Sequence, residues 1–130
     1  MLLPEEDFVR LHHMMDAARS VQRFVRGRER RDLDADEMLA FAVVHALQII
    51  GEAASQVSDR TREAVRGIPW RPITGMRHRL VHGYSDVSLD RVWDTVVHHI
   101  PELLRELQAL LPETPPSGEG QTDSVPPPRG

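Results

Sequence analysis

Arg77-His78-Arg79-Leu80-Val81-His82-Gly83-Tyr84 gathers two arginines, two histidines and the only tyrosine of the chain around a pair of aliphatic side chains. A guanidinium carries a permanent charge and meets phosphate oxygens two at a time. An imidazole of near-neutral pKa accepts a proton and returns it. Arg77 and His82 therefore suffice, in principle, for one particular chemistry: cleavage of a ribose–phosphate linkage without a metal. The nucleophile is the substrate's own 2′-hydroxyl. His82 would take its proton or supply one to the leaving oxygen, while Arg77 stabilises the charge building on phosphorus. Spacing imposes a condition. Each helical residue turns by about 100°, so five positions set the two side chains about 140° apart. They converge only if His82 lies at an unwound helix end or if two chains share the site.

The same stretch admits other readings. His78 and His82 stand four apart, on one helix face, and Asp86 follows four later; two histidines and a carboxylate suit a transition metal. Gly83 is expected to end the helix before Asp86, so no metal site and no cofactor are expected. A solvated arginine and a histidine at a helix terminus would also account for the spacing. Elsewhere, His12, His13, His98 and His99 read as partly exposed residues of amphipathic helices, and Trp70 and Trp93 as core. Glu52 with Gln48 could line a cleft, but the expectation is a buried, hydrogen-bonded carboxylate. No Gly-rich phosphate loop or serine-type nucleophile motif occurs.

The elements that must carry these residues are helices. From Phe8 to Val25, apolar residues recur at steps of three and four: Phe8, Leu11, Met15, Ala18, with a second row of Met14, Ala17, Val21, Phe24. Gly27 suits the end of this helix, and Asp34 or Asp36 the start of the next. The second helix, roughly 35–57, carries two apolar rows, implying burial on more than one side, and a polar row of His45, Gln48, Glu52 and Ser55. Gly51 sits within it at a cost of about 1 kcal/mol relative to alanine, which points to a close helix–helix approach. A short helix is expected at 59–66. Another follows Pro69 and Pro72 and ends near His82. Ser88 suits the cap of a last helix with the row Leu89, Trp93, Val96, Ile100, Leu103, Leu107 and Leu110, which Pro101 should bend. No segment alternates with period two. The expected fold is all-α, an up-and-down bundle of four to five helices over residues 1–111. Residues 112–130, rich in Pro, Gly and Ser, read as a disordered tail.

The chain has 130 residues, one domain's worth, and no cysteine, which excludes disulfides and thiolate metal sites. Its N-terminus lacks the basic flank of a signal peptide, and its apolar runs fall short of the roughly 20 residues that span a bilayer. A soluble cytoplasmic protein without a membrane partner is expected. The net charge of −4 conceals segregation. Residues 19–31 carry +5, residues 32–58 carry −5, and residues 60–82, which contain the Arg77–His82 pair, carry +5 again. All 16 basic residues are arginine, which fits either a GC-rich genome or bidentate phosphate contacts.

The stretch from Gly75 to Tyr84, GMRHRLVHGY, resembles the R-x4-H-x-Y signature of the HEPN superfamily, specifically its HepT-like branch. Pro69-Trp70-Arg71-Pro72-Ile73-Thr74 in front, the helix from Val87 behind, and ALQIIGEAA at 46–54 extend the resemblance over about residues 5–111. It implies an all-α homodimer with two motifs facing each other across a cleft, which meets the 140° condition. It also implies a metal-independent RNA endonuclease, the toxin of a toxin–antitoxin pair, with Arg77 and His82 catalytic. His78 and Arg79 would support substrate positioning, His78 standing where asparagine is most common. The implied partner is a minimal, MntA-like nucleotidyltransferase antitoxin that transfers AMP from ATP to Tyr84. A non-catalytic HEPN module that binds nucleotides or a partner protein is the competing expectation.

Overall fold

The computed structural model describes residues 3–80 and 87–111, and among them every regular element is helical. In chain order these are α1 (Glu5–Phe24), α2 (Arg30–Ala35), α3 (Glu37–Ser55), α4 (Asp59–Ala64), α5 (Trp70–Leu80), α6 (Leu89–Asp94), a π-helical turn (Thr95–His99) and α7 (Ile100–Leu110). The expected all-α bundle is what forms. The expected tail at 112–130 lies outside the described residues, as does the end of the helix near His82.

Local chemistry explains most boundaries. Glu5, Glu6 and Asp7 place negative charge in the first turn of α1, where the helix dipole favours it. Gly27 takes a left-handed backbone, φ 74°, and turns the chain away after α1. Asp36 caps α3 by accepting from the Leu39 N–H at 3.1 Å, Ser58 caps α4 through Thr61 N–H, and Ser88 caps α6 through Arg91 N–H. The sequence left α2 unrecognised. It is a single short helix held by a reciprocal box in which Glu29 N–H donates to Asp32 at 2.6 Å.

Pro101 acts differently from the expected mid-helix bend. It occupies the second position of α7, and the strain of its missing N–H falls on the preceding turn. There the helix widens, and Ile100 N–H donates to the carbonyl of Thr95, five residues back.

The core is continuous through the bundle. Leu11, Met14 and Val21 of α1, Val43, Leu47 and Ile50 of α3, Ile73 of α5, and Ile100, Leu103 and Leu107 of α7 are all essentially inaccessible to water. α1 and α3 run antiparallel. Asp7, at the start of α1, reaches Ser58 beyond the end of α3, whereas Phe24 lies beside Met38 and Ala42. By length and mean hydropathy α3 could cross a membrane, a feature the sequence reading missed. More than half of it is buried inside the bundle, as in a core helix.

One buried polar cluster locks this register. Asp7 is 4% exposed, and its carboxylate accepts from Ser58 N–H at 3.2 Å, from Ser58 Oγ at 2.6 Å and from the Thr61 hydroxyl. Burial alone would raise its pKa. The hydroxyl and backbone donors of Ser58 and Thr61 together outweigh that and hold it below the ordinary carboxylate value.

Candidate active site

Arg77 is the described member of the chemical pair, and two features of α3 fix it. Gly51, buried on α3, leaves room for α5 to come close: a Cβ at position 51 would collide with Arg77 Cβ and stand 3.2 Å from Arg77 Cα. The close helix approach expected of this glycine therefore occurs, and the residue it admits is the candidate catalytic arginine. One residue on, Glu52 takes the guanidinium: Arg77 Nε donates to Glu52 Oε1 at 2.8 Å. Gln56 donates to the other carboxylate oxygen at 3.1 Å.

Glu52 departs from expectation. Its side chain is 53% exposed, not buried, and it lines an open pocket. The physical reason is its place on the polar row of α3, which faces outward between α1 and α5. The Arg77 hydrogen bond first, and the Gln56 bond after it, hold its pKa below the ordinary glutamate value, so it is ionised at neutral pH. Using Nε as the contact has a consequence. The edge of the guanidinium nearest the backbone is occupied, while among the described residues no hydrogen bond takes its terminal nitrogens.

The pocket beside this pair has a volume of about 400 Å³ and a shallow, open form. Arg10 and His13 of α1, Gln48, Ile49 and Glu52 of α3, and Arg77 of α5 line it. Arg10 and His13 belong to it only because α1 and α3 are antiparallel in this register. Nothing in the local sequence marks them.

The remaining candidate residues divide cleanly. His82 and Tyr84 lie outside the described residues, as do the side chains of His78 and Arg79; the metal reading, which rests on His78, His82 and Asp86, lies there too. Trp70 is partly buried, donates from Nε1 to the Val65 carbonyl at 2.9 Å and carries the Arg62 guanidinium 5.7 Å from its ring centre, as a packing residue would. Trp93 packs against the core. His98 sits exposed beside Asp94, 3.5 Å away.

Comparisons with known proteins point to one family. The family described as "Ribonuclease HepT-like" matches residues 14–110. A chain of Caldanaerobacter subterraneus subsp. tengcongensis, named a putative RNase, is 34% identical over 78% of this chain and 90% of its own length. A "Probable ribonuclease HepT" of Thermococcus cleftensis is 33% identical over 77% of this chain and 91% of its own. A further such RNase-named chain, of Methanocaldococcus jannaschii, is 28% identical over 77% and 92%. No solved structure matches. With three quarters of its length inside the family's match and about a third of the aligned residues shared with two of these relatives, the chain belongs to the HepT-like ribonuclease family.

Proposed function

We propose that this protein is a metal-independent endoribonuclease of the HepT type, acting as a homodimer with Arg77 and His82 as its catalytic residues. The carrying observation is the clamp on Arg77. An arginine packed through Cα and Cβ against Gly51, bonded through Nε to Glu52 and lining an open pocket is held in place before substrate arrives, which supports preorganised stabilisation of a phosphorane. In the reaction the 2′-hydroxyl loses its proton to one imidazole and attacks the adjacent phosphorus. The bond to the 5′-oxygen breaks, that oxygen gains a proton, and the products are a 2′,3′-cyclic phosphate and a free 5′-hydroxyl. No external water or metal enters this step. Two copies of His82 across a dimer seam supply both the base and the acid.

The surface of the single chain supports the dimer. Phe24, Met38, Phe41 and Ile49 are exposed along the α1–α3 face, with Met38 75% accessible. The second apolar row of α3, expected to be buried, is covered only in part within one chain. This face runs into the pocket through Ile49, so a partner seated on it would bring the two pockets together.

In this proposal the protein is the toxin of a cytoplasmic toxin–antitoxin pair. A minimal nucleotidyltransferase antitoxin transfers AMP to the hydroxyl of Tyr84 and releases pyrophosphate. The AMP group adds negative charge and bulk where an RNA phosphate must enter.

The test is cleavage of single-stranded RNA by purified dimer in excess EDTA. Wild type should cut, leaving cyclic phosphate ends, whereas Arg77→Ala and His82→Ala should remain folded dimers without activity. Protein co-expressed with the nucleotidyltransferase should be inactive and heavier by AMP, with Tyr84→Phe at unmodified mass. Cleavage that persists in both alanine variants would refute the assignment. Tight partner binding without any RNA cleavage would favour the non-catalytic module.

A further inference from the structure

The pocket has a second cation that the reaction above does not use. Arg10 of α1 lines it together with Arg77, so among the described residues the lining holds two permanent positive charges and one carboxylate, Glu52, which is already bonded to Arg77. Arg10 is half-buried, and its Nε is shielded from solvent with no hydrogen-bond partner among the described residues. Asp7, three residues earlier, feels the Arg10 charge, but its carboxylate already accepts hydrogen bonds from Ser58 and Thr61. A shielded guanidinium nitrogen without an acceptor is costly, by more than an ordinary hydrogen bond contributes. Arg62 Nε on α4 is shielded in the same way, so what marks Arg10 is its place: a guanidinium that lines the same open pocket as Arg77 is positioned to meet an anion from outside the chain.

The lining says which kind of anion. Ile49, 40% exposed, and Ala53 form an apolar floor beside the charged wall, and His13 stands at the rim. The volume of about 400 Å³ is at the small end of ordinary ligand clefts. Charge on one side and an apolar floor on the other fit a nucleotide unit: a phosphodiester for the guanidinium, a ribose or base face for the aliphatic surface. We infer that Arg10 forms a second phosphate subsite, gripping the RNA phosphate next to the scissile one while Arg77 engages the scissile phosphate itself.

This inference rests on the nuclease reading of the same pocket, and the experiment separates the two. Single-stranded RNA binding is measured by fluorescence anisotropy as a function of salt, in a His82→Ala background so that no cleavage intervenes. Removing one phosphate contact, in Arg10→Gln, should weaken binding about tenfold and reduce the slope of log K against log salt by about 0.7. Arg10→Lys should keep the parent's slope, because it keeps the charge; a merely structural arginine would show no such split. In the cleaving protein, Arg10→Gln should raise KM by a larger factor than it lowers kcat. An Arg10→Gln protein with the parent's salt slope and affinity overturns the subsite even if wild type cuts RNA. Conversely, binding that depends on Arg10 in a protein that never cleaves would keep the subsite and discard the nuclease. A parent that binds no RNA at all overturns both.

Discussion

Gly51→Ala is the most informative small change in this structure. A methyl group at position 51 meets Arg77 Cβ inside contact distance and stands only 3.2 Å from the Arg77 Cα, so the obstacle is not the yielding tip of a side chain. α5 must slide outward or α3 must bow. Overpacking of this kind costs about 1–3 kcal/mol, and replacing a mid-helix glycine by alanine recovers about 1, which leaves a net loss of about 0–2 kcal/mol. Stability should thus change little. Catalysis should change much more, because the displaced residue is the one whose guanidinium must meet phosphorus, and a misplacement of about 1 Å costs up to about 100-fold in rate. Urea denaturation gives the first quantity and initial rates of RNA cleavage the second. Leu103→Val in α7, fully buried and in an element remote from α5, is the control: deleting one methylene costs about 0.5–1.5 kcal/mol and should leave the rate intact. Equal rates for Gly51→Ala and wild type, or rate losses that merely follow the unfolded fraction in both variants, would refute the claim that Gly51 sets the position of Arg77.

Two further outcomes follow from the carboxylates. In Glu52→Gln the neutral amide keeps an acceptor for Arg77 Nε but removes the one carboxylate that lines the pocket among the described residues, so kcat should fall while RNA binds more tightly, seen as a lower KM. A fall in kcat with an equally raised KM would show that Glu52 only holds the fold. Asp7→Asn leaves one acceptor oxygen for three donors and should destabilise the protein by about 1–3 kcal/mol. The pH dependence has a definite sign. Because Asp7 has a lower pKa folded than unfolded, its stabilisation is present above the unfolded carboxylate value near 4 and is lost as pH falls through the folded value. Urea midpoints of wild type and Asp7→Asn should therefore converge in acid; parallel curves down to about pH 2 would contradict the assignment.

The parts legible in the sequence were those with local causes. Apolar residues at steps of three and four marked α1, α3 and the α6–α7 rod; Asp36 and Ser88 announced their caps; and Gly51 announced a close approach before its partner was known. α2 was missed because one helical turn and a half has no periodicity to read, only a capping box. Pro101 was read correctly as a perturbation, but where the strain goes depends on how the rod packs, and it goes into a π turn. Glu52 was placed inside because it lies between apolar rows. Whether that polar row is covered depends on how α1 and α5 pack against α3, and that is a tertiary quantity. Arg10 carried no signal at all, since its membership in the pocket follows from the antiparallel register of two helices separated by a loop.

The segregated charge also acquires a meaning that neither the net value nor the pattern supplied. Three of the six arginines in the first basic block meet neighbouring acids: Arg28 pairs with Asp36 at 3.3 Å, Arg30 with Asp34 at 3.0 Å and with Asp90 at 2.8 Å, and Arg31 with Glu29 at 3.4 Å. Such exposed pairs add little stability, but they cancel each other's field beyond about a Debye length. The second block is not cancelled in the same way. Arg60, Arg66 and Arg71 are exposed, and Arg77 meets Glu52 only through Nε. Exposed arginine charge therefore stands on α4, in the turn after it and on α5. A net charge of −4 therefore says little by itself about an anionic partner: encounter depends on how charge is placed locally, and the arginines of residues 60–82 are gathered in the part of the chain that carries Arg77.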